Sequence, residues 1–159
     1  MIRRATNDDA GAIARIYNHY IEHTIITFEE TPVTAEEMNN RMVSNTLPRL
    51  VAEEDGIVSG SAYAQQWRPR SAYRHSVECS VYLDPAATGR GLGKQLYQRL
   101  FELLREMKIH TVIGGIALPN DPSVGLHESL GFEKVAHYRE VGRKFGQWID
   151  VAYWQLMLK

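Results

Sequence analysis

Three glycines fall within five positions in the stretch DPAATGRGLGKQL, residues 84–96, and a helical pattern begins at once. A helix N-terminus carries unpaired N–H groups and roughly half a positive charge. Glycine has no side chain to keep a ligand away from that backbone, so Gly89, Gly91 and Gly93 could cradle an anion such as a pyrophosphate. Two widespread glycine loops do not fit. The nucleotide-phosphate loop needs a first glycine where Thr88 stands and Ser or Thr where Gln95 stands. The dinucleotide fingerprint needs glycine at Lys94, and no strand–helix–strand unit with a ribose-binding acid follows cleanly. A tight glycine turn that holds nothing accounts for the same residues.

Other groups capable of chemistry lie on either side of this loop. Residues 75–83 alternate: His75, Val77, Cys79, Val81 and Leu83 share one face, and Ser76, Glu78, Ser80 and Tyr82 the other. Glu78 is thus a carboxylate on the polar face of a strand, in reach of general-base work or simply a surface glutamate. Cys79, served by His75 or His127, could be a nucleophile, but it sits on the apolar face, where a small buried hydrophobe is expected. His127, in LHESLGF, titrates near neutrality and could donate a proton, or could pack or cap a helix. The loop Trp67–Tyr73, WRPRSAY, bears two arginines whose forked donors suit a carboxylate or phosphinate, or are solvated surface cations. Asn120, in LPNDPS, reads as a turn asparagine.

The elements that must hold these groups are legible as periods. Residues 2–5 form a short apolar-basic edge strand. Thr6 is an N-cap candidate ahead of Asp8 and Asp9, and Ile13, Ile16, Tyr17, Tyr20 and Ile21 mark an amphipathic helix. Thr34 with Glu37 reads as a capping box opening a weaker helix toward Asn45. Leu50–Glu53 and Ile57–Trp67 flank Asp55-Gly56 as a hairpin. After the glycines, Leu92, Leu96, Leu100, Leu103, Leu104 and Met107 predict a strong helix, and Thr111–Ala117 an apolar strand. Ser123 is expected to cap a short helix ending at Gly131, followed by strands over Phe132–Val141 and Ile149–Leu158.

Bulk properties narrow the function classes. A chain of 159 residues suits one mixed α/β domain, residues 1–159, with no linker or repeat. The formal net charge is −1 and no basic run stands out, so no nucleic-acid partner is expected. No apolar stretch approaches the roughly 20 residues of a membrane span. The N-terminus has no apolar signal-peptide core, and one cysteine permits no internal disulfide, which together point to the cytoplasm. No metal is expected.

Nearly the whole chain resembles one family. The stretches IRRAT, IYNHYIEHT, TFEETPVT, WRPRSAY, SVECSVYL, GRGLGKQLY, ALPNDPS, LHESLGF and KFGQWIDVAYWQL resemble the phosphinothricin branch of the GNAT superfamily of N-acetyltransferases, with its relatives that acetylate methionine sulfoximine. Leu83-Asp84-Pro85 ahead of Gly89, Gly91 and Gly93 matches that family's pyrophosphate loop, although Thr88 departs from its usual Gln or Arg. The departure removes one side-chain contact and leaves the backbone cradle.

The resemblance implies a twisted, mostly antiparallel central sheet flanked by helices, its central strands splayed, and acetyl-CoA as co-substrate. It implies Glu78 as the base acting through a water and His127 as proton donor to the leaving thiolate. It puts Val81, Tyr82 and Leu83 along the pantetheine arm, with Asn120 contacting that arm. The pyrophosphate falls to Gly89, Arg90, Gly91, Leu92, Gly93 and Lys94. For an amino-acid-like acceptor it implies the loop Arg70, Ser71, Ala72 and Tyr73, with Phe28 and Tyr97 as walls. It also implies a homodimer, through the aromatic strand pair around Phe145–Trp154. Two other readings stand beside this one. The chain could be a silent acyl-CoA-binding module, although Glu78 and His127 are both present. It could also acetylate another small amine or a protein N-terminus.

Overall fold

A computed structural model describes residues 1–159, and its centre is one seven-stranded sheet. In chain order the elements are β1 (Ile2–Arg4), α1 (Ala10–His23), α2 (Ala35–Ser44), β2 (Arg49–Glu54), β3 (Ile57–Gln66), β4 (Ser76–Leu83), α3 (Leu92–Glu106), β5 (Thr111–Ala117), α4 (Asp121–Ser129), β6 (Glu133–Lys144) and β7 (Gln147–Met157). The spatial order is β1-β2-β3-β4-β5-β7-β6, so β1 is indeed an edge strand. Every neighbouring pair is antiparallel except β4 with β5. This mixed, mostly antiparallel α/β architecture is the one expected.

Local chemistry explains the elements. Asp55 and Gly56 both take positive φ, 51° and 79°, the turn whose twist suits a two-residue hairpin. Thr34 accepts a hydrogen bond from the Glu37 N–H at 3.0 Å and so starts α2. Thr6 and Asp9 form a capping box around a 3-10 turn, Asn7–Asp9, that leads into α1. Arg3 clamps Asp9 with both arms, at 2.8 and 2.9 Å, and ties that turn to β1.

The helices divide between the two faces of the sheet. Leu96, Leu100 and Leu104 of α3 bury against Val77 and Cys79 of β4 and Val112 of β5, the larger apolar core. Ile13, Ile16 and Ile21 of α1, with Met38 of α2, cover Val51 and Val58 on the opposite face.

Three local expectations change. Asn120, not Ser123, caps α4; its side-chain oxygen accepts the Ser123 N–H at 3.3 Å, because the chain turns one residue before Pro122 fixes the first helical turn. Strands β6 and β7 run closer together than their apolar residues indicated, turning on Phe145 and Gly146 alone, both at positive φ. A register slip between Tyr138 and Gly142 hides that continuity, because it breaks the alternation a strand normally shows. Trp154 is only 2% exposed, its indole N–H donating to Glu128 at 3.2 Å, so it is not part of the exposed aromatic surface.

Candidate active site

The parallel ladder between β4 and β5 covers only Ser76–Glu78 against Thr111–Ile113. Beyond Glu78 the two strands part, so Ser80–Leu83 keeps its β3 partner and presents its other edge to a cleft. The splay expected of the central strands is therefore present. A small cavity of about 50 Å³ lies in this cleft, between Ser80, Val81 and Tyr82 on one side and Gly115, Ile116 and Asn120 on the other.

β4 leads out of the cleft into the glycine turn. Asp84 accepts the Ala86 N–H at 3.0 Å and fixes a 3-10 turn, Pro85–Ala87. Gly89 and Gly91 then take φ of 78° and 77°, a left-handed conformation costly for any residue with a side chain. Gly91 occupies the cap position of α3 and no side chain satisfies the first N–H groups there. The space where side chains would stand at Gly89 and Gly91 is open. These features fit a pyrophosphate, with Leu92 and Gly93 opening the helix. Lys94 is half-buried and makes no ion pair, while Arg90 leans toward Glu54 at 3.4 Å. Thr88 turns back to donate to the Pro85 carbonyl at 3.0 Å, stabilising the loop itself. At the top of the turn the Tyr20 hydroxyl donates to the Leu83 carbonyl at 2.5 Å, so that acceptor is already engaged.

Glu78 stands at the last paired position, on the face covered by α1 and α2. It is half-buried, and burial raises its carboxyl above the usual range. A polar contact with Gln65, its cross-strand neighbour, and the charge of Arg68 oppose that rise only in part. A carboxylate with a raised pKa is a better proton acceptor near neutrality.

His127 comes from the opposite face. Its imidazole lies against Gly114, where an added Cβ would meet Nε2 at 2.6 Å, so only glycine admits the ring. Nδ1 donates to the Ser123 carbonyl at 2.7 Å, which fixes the tautomer and leaves Nε2 free. Burial lowers the pKa of the ring. Tyr97 and Phe132 meet it edge-on, at 5.5 and 4.9 Å between centroids. Glu78 and His127 thus stand on opposite faces of the sheet, and of the two only His127 lines the small cavity of the cleft.

Cys79 is buried on the α3 face as its alternation implies, and burial pushes its thiol well above the ordinary range. A buried thiol whose ionisation is disfavoured does not suit the cysteine-nucleophile chemistry.

Beside Glu78 a larger cavity of about 430 Å³ opens over β5, β7 and β6. Phe28 lines it, packed against Gly142, together with Trp67, Arg68, Tyr138 and Tyr153. The other expected acceptor residues lie elsewhere. Arg70, Ser71, Ala72 and Tyr73 make an exposed 3-10 turn outside its lining, and Tyr97 is 1% exposed behind the cleft, beside His127. Arg68, stacked on Trp67 at 4.6 Å, is the arginine of that loop which lines the cavity. Tyr153 went unnoticed in the sequence, although it alternates with Trp154 and so must face away from the core.

Splayed central strands above an uncapped glycine turn, with a half-buried carboxylate at the end of the ladder, are the arrangement expected of an acyl-group transferase. The model of the acetyltransferase (GNAT) domain matches residues 2–153. An L-amino acid N-acyltransferase from Escherichia coli is 41% identical over 160 residues, spanning 99% of this chain and 93% of the relative. An L-methionine sulfoximine/L-methionine sulfone acetyltransferase from Salmonella typhimurium is 39% identical over 160 residues, with 99% and 94% covered. The crystal structure of a phosphinothricin acetyltransferase from Sinorhizobium meliloti, in complex with acetyl-CoA, superposes with a TM-score of 0.96 at 36% identity, over 99% of this chain and 88% of that one. The chain belongs to the GNAT acetyltransferases, enzymes that take their acetyl group from acetyl-CoA.

Proposed function

We propose that the protein acetylates the α-amino group of small amino-acid-like acceptors, with phosphinothricin and methionine sulfoximine or sulfone among them. The observation that carries this is the end of the β4–β5 ladder at Glu78, which sets a half-buried carboxylate between the cleft and the Phe28–Trp67 cavity. The full-length likeness to amino-acid acetyltransferases supports it.

Acetyl-CoA, when bound, supplies an acyl thioester. Val81, Tyr82 and Leu83 would lie along its arm, the Leu83 carbonyl being already taken by Tyr20, with Asn120 across the cleft, and Gly89–Lys94 would hold the pyrophosphate. An α-ammonium is mostly protonated at neutral pH, so Glu78 takes a proton from it through a water. Phe28, Trp67 and Tyr153 exclude bulk solvent from the acceptor, and Arg68 offers forked donors to its acidic group. The Arg70–Tyr73 turn stands at the rim. His127, through Nε2, hands a proton to the departing sulfur. Because Nδ1 carries the proton of the neutral ring, Nε2 has a proton to give only in the imidazolium form, which burial disfavours.

The protein works in this reading as a cytoplasmic homodimer. Tyr138, Val141, Phe145 and Trp148 along the β6–β7 hairpin are each more than half exposed, an apolar surface a second copy would cover. A monomeric mass by light scattering at micromolar concentration would contradict the assembly. For the activity, free CoA thiol is measured with a panel of amino acids. Release of thiol only at the rate of uncatalysed hydrolysis with every amine would sink it.

A further inference from the structure

The face of the sheet that carries Glu78 holds a second cavity, of about 280 Å³, between α1, α2 and strands β2 and β3. Its apolar wall is Ile13, Ile16 and Met38. Its polar groups are unusual in what they lack. Arg49 lies over the Tyr63 ring at 4.0 Å, and its guanidinium makes no ion pair and no hydrogen bond within the protein. Neighbouring Arg41 is neutralised by Glu29, at 2.7 and 2.9 Å, so the charge of Arg49 is the one left uncompensated. Burial lowers the Arg49 pKa, a sign that the cation is held where water reaches it poorly. Ser61, 3% exposed and lining the same chamber, has a hydroxyl with no hydrogen-bond partner at all.

A desolvated cation and an orphaned hydroxyl both destabilise a folded chain, and both are offset by one kind of ligand. An anion with several lone pairs accepts from the guanidinium fork and from a hydroxyl together. The apolar wall asks for a short hydrocarbon stem behind that anion. We propose that this chamber is a binding site for a small carboxylate-type oxyanion, seated on Arg49 and Ser61 with its stem against Ile13, Ile16 and Met38. Gln65 lines the chamber and also contacts Glu78, so the site adjoins the acetyl-transfer centre. Two sources share this chemistry: the remote acidic end of an acceptor whose amine lies at Glu78, which rests on the proposed function, or a separate short-chain acid.

The probe is sodium propionate, titrated into the full chain with thermal melting and heteronuclear NMR as readouts. Wild type should show a saturable rise in Tm, with shifts in Ser61 and neighbouring amides. Arg49→Met should weaken propionate about 10- to 100-fold, as expected for hydrogen bonds to a charged group, and Ser61→Ala several-fold. In anion-free buffer Arg49→Met should melt close to wild type, because it removes a buried cation that no carboxylate compensates and that only the Tyr63 ring supports. A merely structural arginine would lower the Tm instead. If Arg49→Met does not fold, Arg49→Lys and Ser61→Ala carry the test.

Equal responses to propionate in wild type and the variants, or no saturation in wild type, overturn the site. Comparing kcat/KM for amino acids with acidic and neutral side chains separates the sources. A loss confined to acidic acceptors in Arg49→Met assigns the chamber to the acceptor's tail, and an unchanged profile with lost propionate binding assigns it to a separate acid. Should propionate bind while no amino acid is acetylated, the proposed function fails and the anion site stands.

Discussion

The two faces of the sheet are built on different terms. Under α3 and α4 the packing is almost wholly apolar, with Leu96, Leu100, Leu104, Val77 and Val112 sealed from solvent. Under α1 and α2 the sheet carries Arg49, Tyr63, Glu78 and Tyr82, and the buried apolar set is about half as large. Polar ties hold that side together: Arg3 to Asp9, Arg41 to Glu29, the Tyr17 and Thr27 hydroxyls at 2.8 Å, and buried Lys144 donating to the Thr27 carbonyl at 2.8 Å. One face supplies most of the apolar burial while the other carries the charged groups, and the β4–β5 ladder ends where the two strands part between them. Local stability and chemistry are thus segregated by the pleat itself, since successive residues of a strand point to opposite sides.

The comparison predicts opposite signatures for substitutions on the two faces. The largest effect on activity belongs to Glu78→Gln, which should lower kcat by roughly 10²–10⁴-fold with acetyl-CoA binding little changed. Stability should not fall. Burial raises this carboxyl, so the folded state holds its proton more tightly than the unfolded chain does and loses stability as pH climbs through that raised value. Glutamine removes that penalty. The acidic limb of the kcat/KM profile, set by the deprotonated base, should lie above the ordinary carboxylate range and vanish in the variant. Near wild-type turnover at pH 7 would leave Glu78 structural.

Leu100→Ala, on the dry face, should do the reverse. Truncating this sealed side chain should cost about 2–5 kcal/mol of stability, read by denaturant unfolding, while kcat of the remaining folded enzyme stays close to wild type. A cost under roughly 1 kcal/mol would mean that the α3 face is not the stabilising one.

Gly91→Val tests the seam between the faces. The φ of 77° alone should cost roughly 1–2 kcal/mol of stability. The added branch should also raise the acetyl-CoA KM strongly, since lost hydrogen bonds to a charged group are worth about 1.5–3 kcal/mol each. Calorimetry on folded variant showing unchanged cofactor affinity would remove the loop from the site.

The smallest effect concerns the polar ties. Asp9→Asn keeps the shape of the capping box but loses the charge that Arg3 clamps, and should cost about 0.5–2 kcal/mol. The Arg3 guanidinium holds Asp9 below the usual carboxylate range, so its contribution is fully present above the ordinary value. It is lost as pH falls through the lowered one. The gap in Tm between wild type and Asp9→Asn should therefore close in acid, and a gap independent of pH would contradict the tie.

Much of this was legible in one dimension. The amphipathic period of α1 and α3, the Asp55-Gly56 hairpin, the apolar run of β5 and the glycine turn are local patterns, governed by backbone sterics and the rotation per residue. Alternation placed Glu78 and Cys79 on opposite faces before any neighbour was known, and it also implied the inertness of the cysteine. The likeness of scattered stretches to the GNAT acetyltransferases added the cleft and its co-substrate.

What only the tertiary structure decided are the meetings between distant segments. WRPRSAY offers two arginines two residues apart, and only the folded structure shows that Arg68 lines the cavity while Arg70 stands outside its lining. The sequence puts the cap of α4 at Ser123 and reads Asn120 as a turn residue, and only the course of the chain into Pro122 makes Asn120 the cap. Tyr97, on a helix, is drawn to the back of the cleft rather than to the acceptor side, because α3 covers the face opposite Glu78. Nothing in the spacing of Arg49 and Ser61 marks them as neighbours without partners. Spacing reports what a residue could reach, whereas a missing partner is a property of every group around it, and only the packed structure brings that surrounding set together.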